Sequence, residues 1–173
     1  MILVVGGEKG GAGKSCIAQN LAVWLGLEGH DVLLLDADPQ RTSYHWAQER
    51  QANAALFQLP VEHAIGDLRA LLKDRATRYE HIVIDVGGAD SATLRSAMTV
   101  ASHILLPLRP KRRDLKTLAN LELLVSLTLP VNPKVIVRTV ISQAPTLPSQ
   151  GARIWDAKEA CKSFGLQPLD AVV

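Results

Sequence analysis

Cysteine and aromatic residues are scarce in this sequence. Cys16 and Cys161 are the only two cysteines, they lie far apart, and neither belongs to a Cys-x-x-Cys pattern. This excludes a disulfide framework and a thiolate metal site, so a reducing cytoplasm is the expected setting. Aromatic residues make up only 4% of the chain, which argues against a base-stacking surface for single-stranded nucleic acid. The five histidines are scattered without metal-ligand spacing.

Long apolar runs and a strong charge imbalance are also absent. No stretch reaches the roughly 18 apolar residues that a membrane-spanning helix needs, and the apolar start at residues 1–5 is too short for a signal peptide. We therefore expect neither export nor a membrane span. The net charge of +2 is too small to name a partner. With 47% hydrophobic residues among 173, we predict one globular domain spanning residues 1–173.

The most informative stretch is the glycine-rich segment at residues 8–15, EKGGAGKS. Residues 2–5 have the β-branched content of a buried strand, and apolar residues between 17 and 25 repeat at helical spacing. The segment therefore joins a strand to a helix. In that context, successive backbone N–H groups curl around an anion at the positive end of the helix. The alternative is a glycine-rich turn that happens to precede a helix.

Individual residues of this segment suit a nucleotide phosphate. Gly10, Gly11 and Gly13 allow the backbone to approach phosphate oxygens closely. Lys14 can reach the β- and γ-phosphates, and the Ser15 hydroxyl can bind Mg²⁺. We interpret the segment as a phosphate-binding loop.

Two acidic segments follow further predicted strands. The strand at 31–36 leads into Asp36-Ala37-Asp38-Pro39-Gln40, and the strand at 81–85 ends in Asp85, before Val86-Gly87-Gly88. Open α/β sheets bind ligands at the carboxyl ends of their strands. An acid such as Asp85 can hold Mg²⁺ through a water, and the glycines allow a loop to respond to the γ-phosphate. Taken alone, either segment is also compatible with a plain turn or a helix cap.

A basic cluster follows the strand predicted at 104–107. A surface that contacts the phosphates of non-specific DNA is one interpretation, and a solvated loop is the other. Its members are Arg109, Lys111, Arg112, Arg113 and, one helical turn further on, Lys116.

Repeated strand–helix units predict an α/β doubly wound fold. We expect a mainly parallel sheet with helices on both faces, in three layers, with the phosphate loop after the first strand. Residues 57–59 are predicted to form a short edge strand ended by Pro60. Asp114 is expected to cap a leucine-rich helix that Pro130 closes.

The motifs resemble those of the ParA/MinD family of P-loop ATPases. Residues 9–15 match the family's deviant phosphate loop, or deviant Walker A motif, position by position, whereas Glu8 replaces the first glycine of the standard pattern. Residues 36–40 and 85–88 resemble the family's next two motifs. The resemblance covers essentially the whole chain and is closest to short ParA-type partition proteins. Relatives usually continue with one or two helices after the last predicted strand, and this sequence lacks them.

The resemblance implies a site for ATP and Mg²⁺. It implies that Lys9, Lys14 and Asp38 are catalytic, with Lys9 reaching the phosphates of a partner subunit and Asp38 serving the attacking water. The metal shell would involve Ser15, Asp36 and Asp85. The nucleotide would contact Gly10, Gly11, Ala12, Gly13, Lys14, Ser15, Cys16, Gly88, Pro107 and Arg109, with adenine contacts also expected near Ser142 and Gln143.

The resemblance also implies a biological process. ATP would be sandwiched in a homodimer, slow hydrolysis would reset it, and an adaptor of the ParB type would stimulate turnover during plasmid or chromosome partition or cargo positioning. A MinD-like membrane anchor is not expected. Two alternatives stay open: a nucleotide-gated regulator with weak hydrolysis, and a small-molecule phosphotransferase, for which the sequence offers neither a lid nor an acceptor motif.

Overall fold

A single parallel sheet organises the protein. The computed structural model describes residues 1–8, 10–88 and 91–173. Within these residues, seven strands pair in the order β3-β2-β4-β1-β5-β6-β7, and every pair is parallel. The strands are β1 Ile2–Val5, β2 Val32–Ala37, β3 Val61–His63, β4 His81–Val86, β5 His103–Leu108, β6 Ile136–Ile141 and β7 Pro168–Val172.

Helices connect the strands and cover both faces of the sheet, so the predicted doubly wound α/β fold is confirmed. They are α1 Lys14–Leu27, α2 Thr42–Gln51, α3 Arg69–Arg75, α4 Ala92–Met98, α5 Arg112–Leu115, α6 Leu118–Thr128 and α7 Gly151–Ser163.

The two faces of the sheet have separate cores. On one face, α1 and α2 pack against the sheet through residues that include Ile17, Ala22 and Trp46. On the other face lie α3, α4, α6 and α7, whose inward residues include Leu72 and Leu121. All six residues of β2 are buried, as expected for a parallel strand that is covered on both faces.

The strand order reverses at β1. From β1 the chain crosses to β2 and β3 on one side, returns through β4, and then continues to β5, β6 and β7 on the other side. In open α/β sheets, the crevice for a ligand forms where the connections diverge in this way. The carboxyl ends of β1 and its neighbours are therefore the expected position of a functional site.

Two local predictions are wrong. The edge strand lies at Val61–His63, after Pro60 rather than before it, and Phe57 instead packs against α1. Proline has no N–H to donate to a sheet, and here its carbonyl accepts a hydrogen bond from the Leu34 N–H. Asp114 does not cap the leucine-rich helix, because it lies within α5 and is almost fully buried.

Among the helices of the described residues, none combines the length and apolar character that crossing a membrane requires.

The close contact between Gly26 and Phe57 generates a stability prediction. A Cβ atom at Gly26 would lie 2.2 Å from two ring atoms of Phe57, so the ring would have to leave its place in the core. We expect Gly26→Ala to lower the free energy of unfolding by about 1 kcal/mol, because overpacking outweighs the gain in helix propensity. Chemical denaturation measures the difference.

Gly151→Ala is the matched control. Gly151 begins α7 with a helical φ of −55°, and no atom lies within 4 Å of a Cβ placed there. This variant should be as stable as the parent or more so. Equal effects of the two substitutions would contradict the packing described for Gly26.

Candidate nucleotide-binding site

The glycine-rich loop turns sharply between β1 and α1. Gly11 and Gly13 have φ angles of 75° and 79°, in the left-handed region that favours glycine. The first intrahelical hydrogen bond of α1 runs from the Ile17 N–H to the Gly13 carbonyl, at 2.9 Å. Lys14 and Ser15 are therefore the first residues of the helix, at its positive end. Lys9 lies outside the described residues.

The loop is held in place by residues that follow β6. The Ser142 hydroxyl donates to the Ala12 carbonyl at 2.8 Å, and the Gln143 side-chain amide donates to the Gly11 carbonyl at 2.7 Å. Both residues are predicted to lie near the adenine, and their role as supports of the loop has no signal in the sequence. The loop is thus fixed to a strand that is not adjacent to β1.

Strand register brings the acidic residues to the same edge. Asp85 pairs with Val5 on one side and with Asp36 on the other. The three motifs predicted from the sequence therefore meet at the carboxyl ends of three neighbouring strands.

Asp36 organises the chain that follows β2. It is fully buried, and its carboxylate accepts hydrogen bonds from the N–H groups of Asp38, at 2.9 Å, and Tyr44, at 2.7 Å. Asp38 in turn accepts the Gln40 N–H at 2.9 Å. Asp36 therefore shapes the turn that carries Asp38 and fixes the start of α2. Its proposed part in the metal shell would be indirect.

Asp85 and Lys14 are ionisable residues of opposite charge, and both are buried. Burial raises the pKa of Asp85, and hydrogen bonds from Ser43 and Ser15 lower it. Burial lowers the pKa of Lys14, although the negative charge of Asp85 acts in the opposite direction. Removal from water thus disfavours the charged form of both groups. A phosphate and a cation bound here would favour the charged forms.

Gly87 and Gly88 separate the phosphate loop from the Asp38 turn. A Cβ at Gly87 would lie 3.0 Å from the Asp38 carboxylate. A Cβ at Gly88 would lie 2.9 Å from the Gly10 nitrogen and 3.2 Å from the Lys14 ammonium nitrogen. A side chain at Gly88 would collide with the backbone of Gly10, whereas one at Gly87 would require the Asp38 side chain to shift by a few tenths of an ångström. The segment after β4 therefore touches both other motifs.

The family profile described as the CobQ/CobB/MinD/ParA nucleotide binding domain matches residues 3–153. The chain belongs to this family. This match, which names MinD and ParA, confirms the predicted resemblance to the ParA/MinD family.

Curated relatives match this chain over only part of their own length. The chain is 30% identical over 113 residues to Protein ParA of Rhizobium radiobacter, which is 65% of this chain and 50% of that protein. It is 30% identical over 144 residues to the maintenance of carboxysome distribution protein A of Halothiobacillus neapolitanus, covering 82% and 65% respectively. The chain thus spans about half to two thirds of the length of these relatives.

Solved structures share the fold at low sequence identity. McdA of Cyanothece in complex with ATP has a TM-score of 0.76 and 16% identity, covering 97% of this chain and 82% of that one. Cobyrinic acid a,c-diamide synthase of Mycobacterium smegmatis, with a bound ATP analog and magnesium, has a TM-score of 0.82 and 14% identity, covering 99% and 86%.

The donor atoms at the site suit the Mg²⁺ that the family implies. Among the described residues, no three His, Cys, Asp or Glu side chains cluster to hold a metal by themselves. The Ser15 hydroxyl and the Asp85 carboxylate do lie together. Mg²⁺ is usually held by one or two carboxylates together with waters and substrate phosphates. These two oxygen donors suit an ion that arrives with a nucleotide.

Pro107 and Arg109, predicted to contact nucleotide, have different surroundings. Pro107 is buried within β5, where it pairs with Val140. Arg109 lies beside the loop, 3.4 Å from a Cβ placed at Gly11. Its guanidinium donates to the Asp114 carboxylate at 2.5 and 3.0 Å. Two of the three guanidinium nitrogens of Arg109 are therefore hydrogen-bonded to a buried carboxylate, and the third is the one nearest the loop.

Two further polar contacts at the site involve residues, Asn120 and Ser43, that belong to no motif recognised in the sequence. Asn120 of α6 donates to both carboxylate oxygens of Glu8, at 2.8 and 2.9 Å. Ser43 of α2 donates to Asp85 at 2.6 Å. Cys16, predicted to contact nucleotide, is exposed on the first turn of α1.

The contact between Gly88 and the loop generates a binding prediction. We expect Gly88→Ala to weaken binding of a fluorescent ATP analogue by about tenfold or more, because its Cβ would displace the Gly10 backbone and Lys14. Equilibrium titration measures the affinity, and Gly151→Ala is the distant glycine control. Parental affinity in a folded Gly88→Ala protein would show that this segment does not face the phosphates.

Proposed function

We propose that the protein is a Mg²⁺-dependent ATPase that forms a homodimer when ATP binds, and that this switch serves partition or positioning of a cargo. The observation that carries the proposal is the contact of three motifs at one edge of the sheet. Gly88 lies against Gly10 and Lys14, and Gly87 lies against Asp38. A segment in this position can respond to the presence of a γ-phosphate and pass the change to the Asp38 turn.

Each residue has a chemical role in this proposal. The loop N–H groups and Lys14 would bind the phosphates. Ser15 and Asp85 would hold Mg²⁺, and this ion would supply positive charge to neutralise the phosphate oxygens. Asp38 orients the water that attacks the γ-phosphorus. The bond from that phosphorus to the β–γ bridging oxygen breaks, and ADP and phosphate are released. Asp36 keeps the Asp38 turn in shape.

Lys9 supplies the link between hydrolysis and dimerisation. By resemblance to the deviant phosphate loop, its ammonium group reaches the phosphates bound in the partner subunit. A cation supplied in this way stabilises the charge of the transition state, as an arginine finger does. Turnover is then slow until a dimer forms, and an adaptor of the ParB type would accelerate it in the cytoplasm.

The curated relatives favour partition or positioning over metabolite chemistry. Their names refer to ParA and to carboxysome distribution. The likeness to cobyrinic acid a,c-diamide synthase, at 14% identity, concerns the fold alone. A phosphotransferase or ligase is the alternative function, and an acceptor-dependent consumption of ATP would identify it.

Sedimentation velocity tests the switch. We expect a monomer with ADP and a dimer with ATP and Mg²⁺. Lys9→Ala should retain ATP binding but lose the dimer and at least about tenfold of the hydrolysis rate, because no cation then crosses the interface. Lys73→Ala, at an exposed position of α3, is the matched control. Dimerisation and hydrolysis unchanged in Lys9→Ala would refute the role of Lys9.

The basic cluster is proposed to contact DNA in the ATP-bound state. Lys111 and Arg112 are exposed and line a cleft between α5 and α7 together with Arg153. This adds a cation from a distant part of the chain to the predicted set, although Asp156 of the same cleft offsets part of the positive charge. Arg109 contributes less, because it is paired with Asp114. The other two members of the cluster, Arg113 and Lys116, are exposed on the same segment.

The salt dependence of DNA affinity distinguishes the two interpretations of the basic cluster, a surface that contacts DNA and a solvated loop. We expect non-specific duplex DNA to bind with ATP. The double variant Lys111→Ala/Arg112→Ala should flatten the slope of log affinity against log salt by about one for each phosphate that it no longer neutralises. Fluorescence anisotropy measures the binding, with Lys73→Ala as the control. The same slope in the double variant would favour the solvated loop.

A further inference from the structure

A chain of buried hydrogen bonds lies behind Asp85. Gln19 of α1, Ser43 of α2 and Asp85 of β4 are 9%, 0% and 1% exposed. The Gln19 side-chain amide donates to the Ser43 hydroxyl oxygen at 3.0 Å, and the Ser43 hydroxyl donates to Asp85 Oδ2 at 2.6 Å. Three elements therefore meet at one carboxylate.

The direction of these hydrogen bonds is fixed by chemistry. When Asp85 is ionised, as holding a cation requires, its carboxylate only accepts, so the single proton of the Ser43 hydroxyl points to Asp85. The hydroxyl oxygen then accepts the Gln19 N–H, which keeps that proton from turning elsewhere. Ser15 also hydrogen-bonds to the Asp85 side chain. The carboxylate is thus held both by a serine in the first turn of α1 and by a serine in the first turn of α2.

The same helix is tied to the Asp38 turn. The residue after Ser43 is Tyr44, whose N–H donates to Asp36 at 2.7 Å, and Asp36 also accepts the Asp38 N–H. Movement of the start of α2 would therefore change the surroundings of Asp85 and Asp38 together.

We propose that Ser43, supported by Gln19, is a positioning residue that fixes the Asp85 carboxylate for the Mg²⁺ of bound ATP. The inference rests on the proposed function and deepens it. Partners of this kind orient the groups that hold a metal, and their loss typically weakens metal binding by about 10- to 100-fold. A merely structural serine would instead affect nucleotide binding equally with and without the metal.

The test is the Mg²⁺-dependent gain in affinity. A fluorescent ATP analogue is titrated against the protein in Mg²⁺ and again in excess chelator, and the ratio of the two dissociation constants is compared between variants. We expect Ser43→Ala to reduce the ratio by about tenfold while the value in chelator changes less than about twofold. Gln19→Met, similar in size but unable to donate, should reduce the ratio by a smaller factor, about threefold.

Two further variants sharpen the test. Ser126→Ala is the matched control, because Ser126 is an exposed serine of α6 whose hydroxyl donates to the Leu123 carbonyl of its own helix. Its ratio should equal that of the parent. In the double variant Ser43→Ala/Gln19→Met, the loss should match that of Ser43→Ala alone, because Gln19 acts through Ser43.

The outcomes distinguish the two proposals. A parental ratio in Ser43→Ala and Gln19→Met, while the parent itself gains affinity from Mg²⁺, would overturn only the positioning role. If Ser43→Ala does not fold, Gln19→Met decides the matter by the same ratio. A parent that gains no affinity from Mg²⁺ would overturn the proposed function and the positioning role with it.

Discussion

The pairing register of β1, β4 and β2 is the constraint on which the site depends. Asp85 stands opposite Val5 and Asp36, so the phosphate loop and both acidic turns begin at the same level of the sheet. Parallel pairing repeats evenly along the strands, and a slip of one residue would turn every side chain to the other face. Because β2 and β4 are almost entirely buried on both faces, such a slip is strongly disfavoured.

Buried charge is the second feature that shapes this site. Lys14 and Asp85 lie out of water. Burial lowers the pKa of Lys14 and raises the pKa of Asp85, so it favours the neutral form of each group. Burying charged groups is costly unless they are paired and hydrogen-bonded. The protein offsets part of this cost with hydroxyl groups from Ser15 and Ser43. A ligand that supplies both negative phosphates and a cation would offset the rest of this desolvation cost, so the buried charges favour its binding.

Much of the fold and of the site could be predicted from the sequence, because the signals are local. The glycines before Lys14 and the acids after two apolar strands identify phosphate and metal chemistry once the strand–helix context is recognised. The error at Phe57 has a physical reason. Phe57 and Leu59 before a proline favour a short edge strand, but only tertiary packing decides that Phe57 fills the space beside Gly26.

Interactions between distant residues could not be predicted in the same way. Asp is a residue type that often caps helices, and Asp114 precedes a leucine-rich segment, yet its buried carboxylate pairs with Arg109 across a turn. Ser43 and Gln19 belong to no motif and are 24 positions apart, so nothing in their spacing indicates that they meet. The contact of Pro107 with the nucleotide stays a prediction from the family resemblance, and the burial of Pro107 within β5 follows only from the assembled sheet. Side-chain partnerships of this kind depend on the assembled sheet.

The hydrogen bonds from Ser142 and Gln143 to the phosphate loop have a mechanical consequence. One strand, β5, separates the loop's own strand from the strand that precedes these donors, so the loop is braced across β5. The end of β6 is also where a purine base is expected to rest. The phosphate end and the base end of a bound nucleotide would therefore share one rigid support. Displacement at either end would be transmitted to the other through the backbone carbonyls of Gly11 and Ala12.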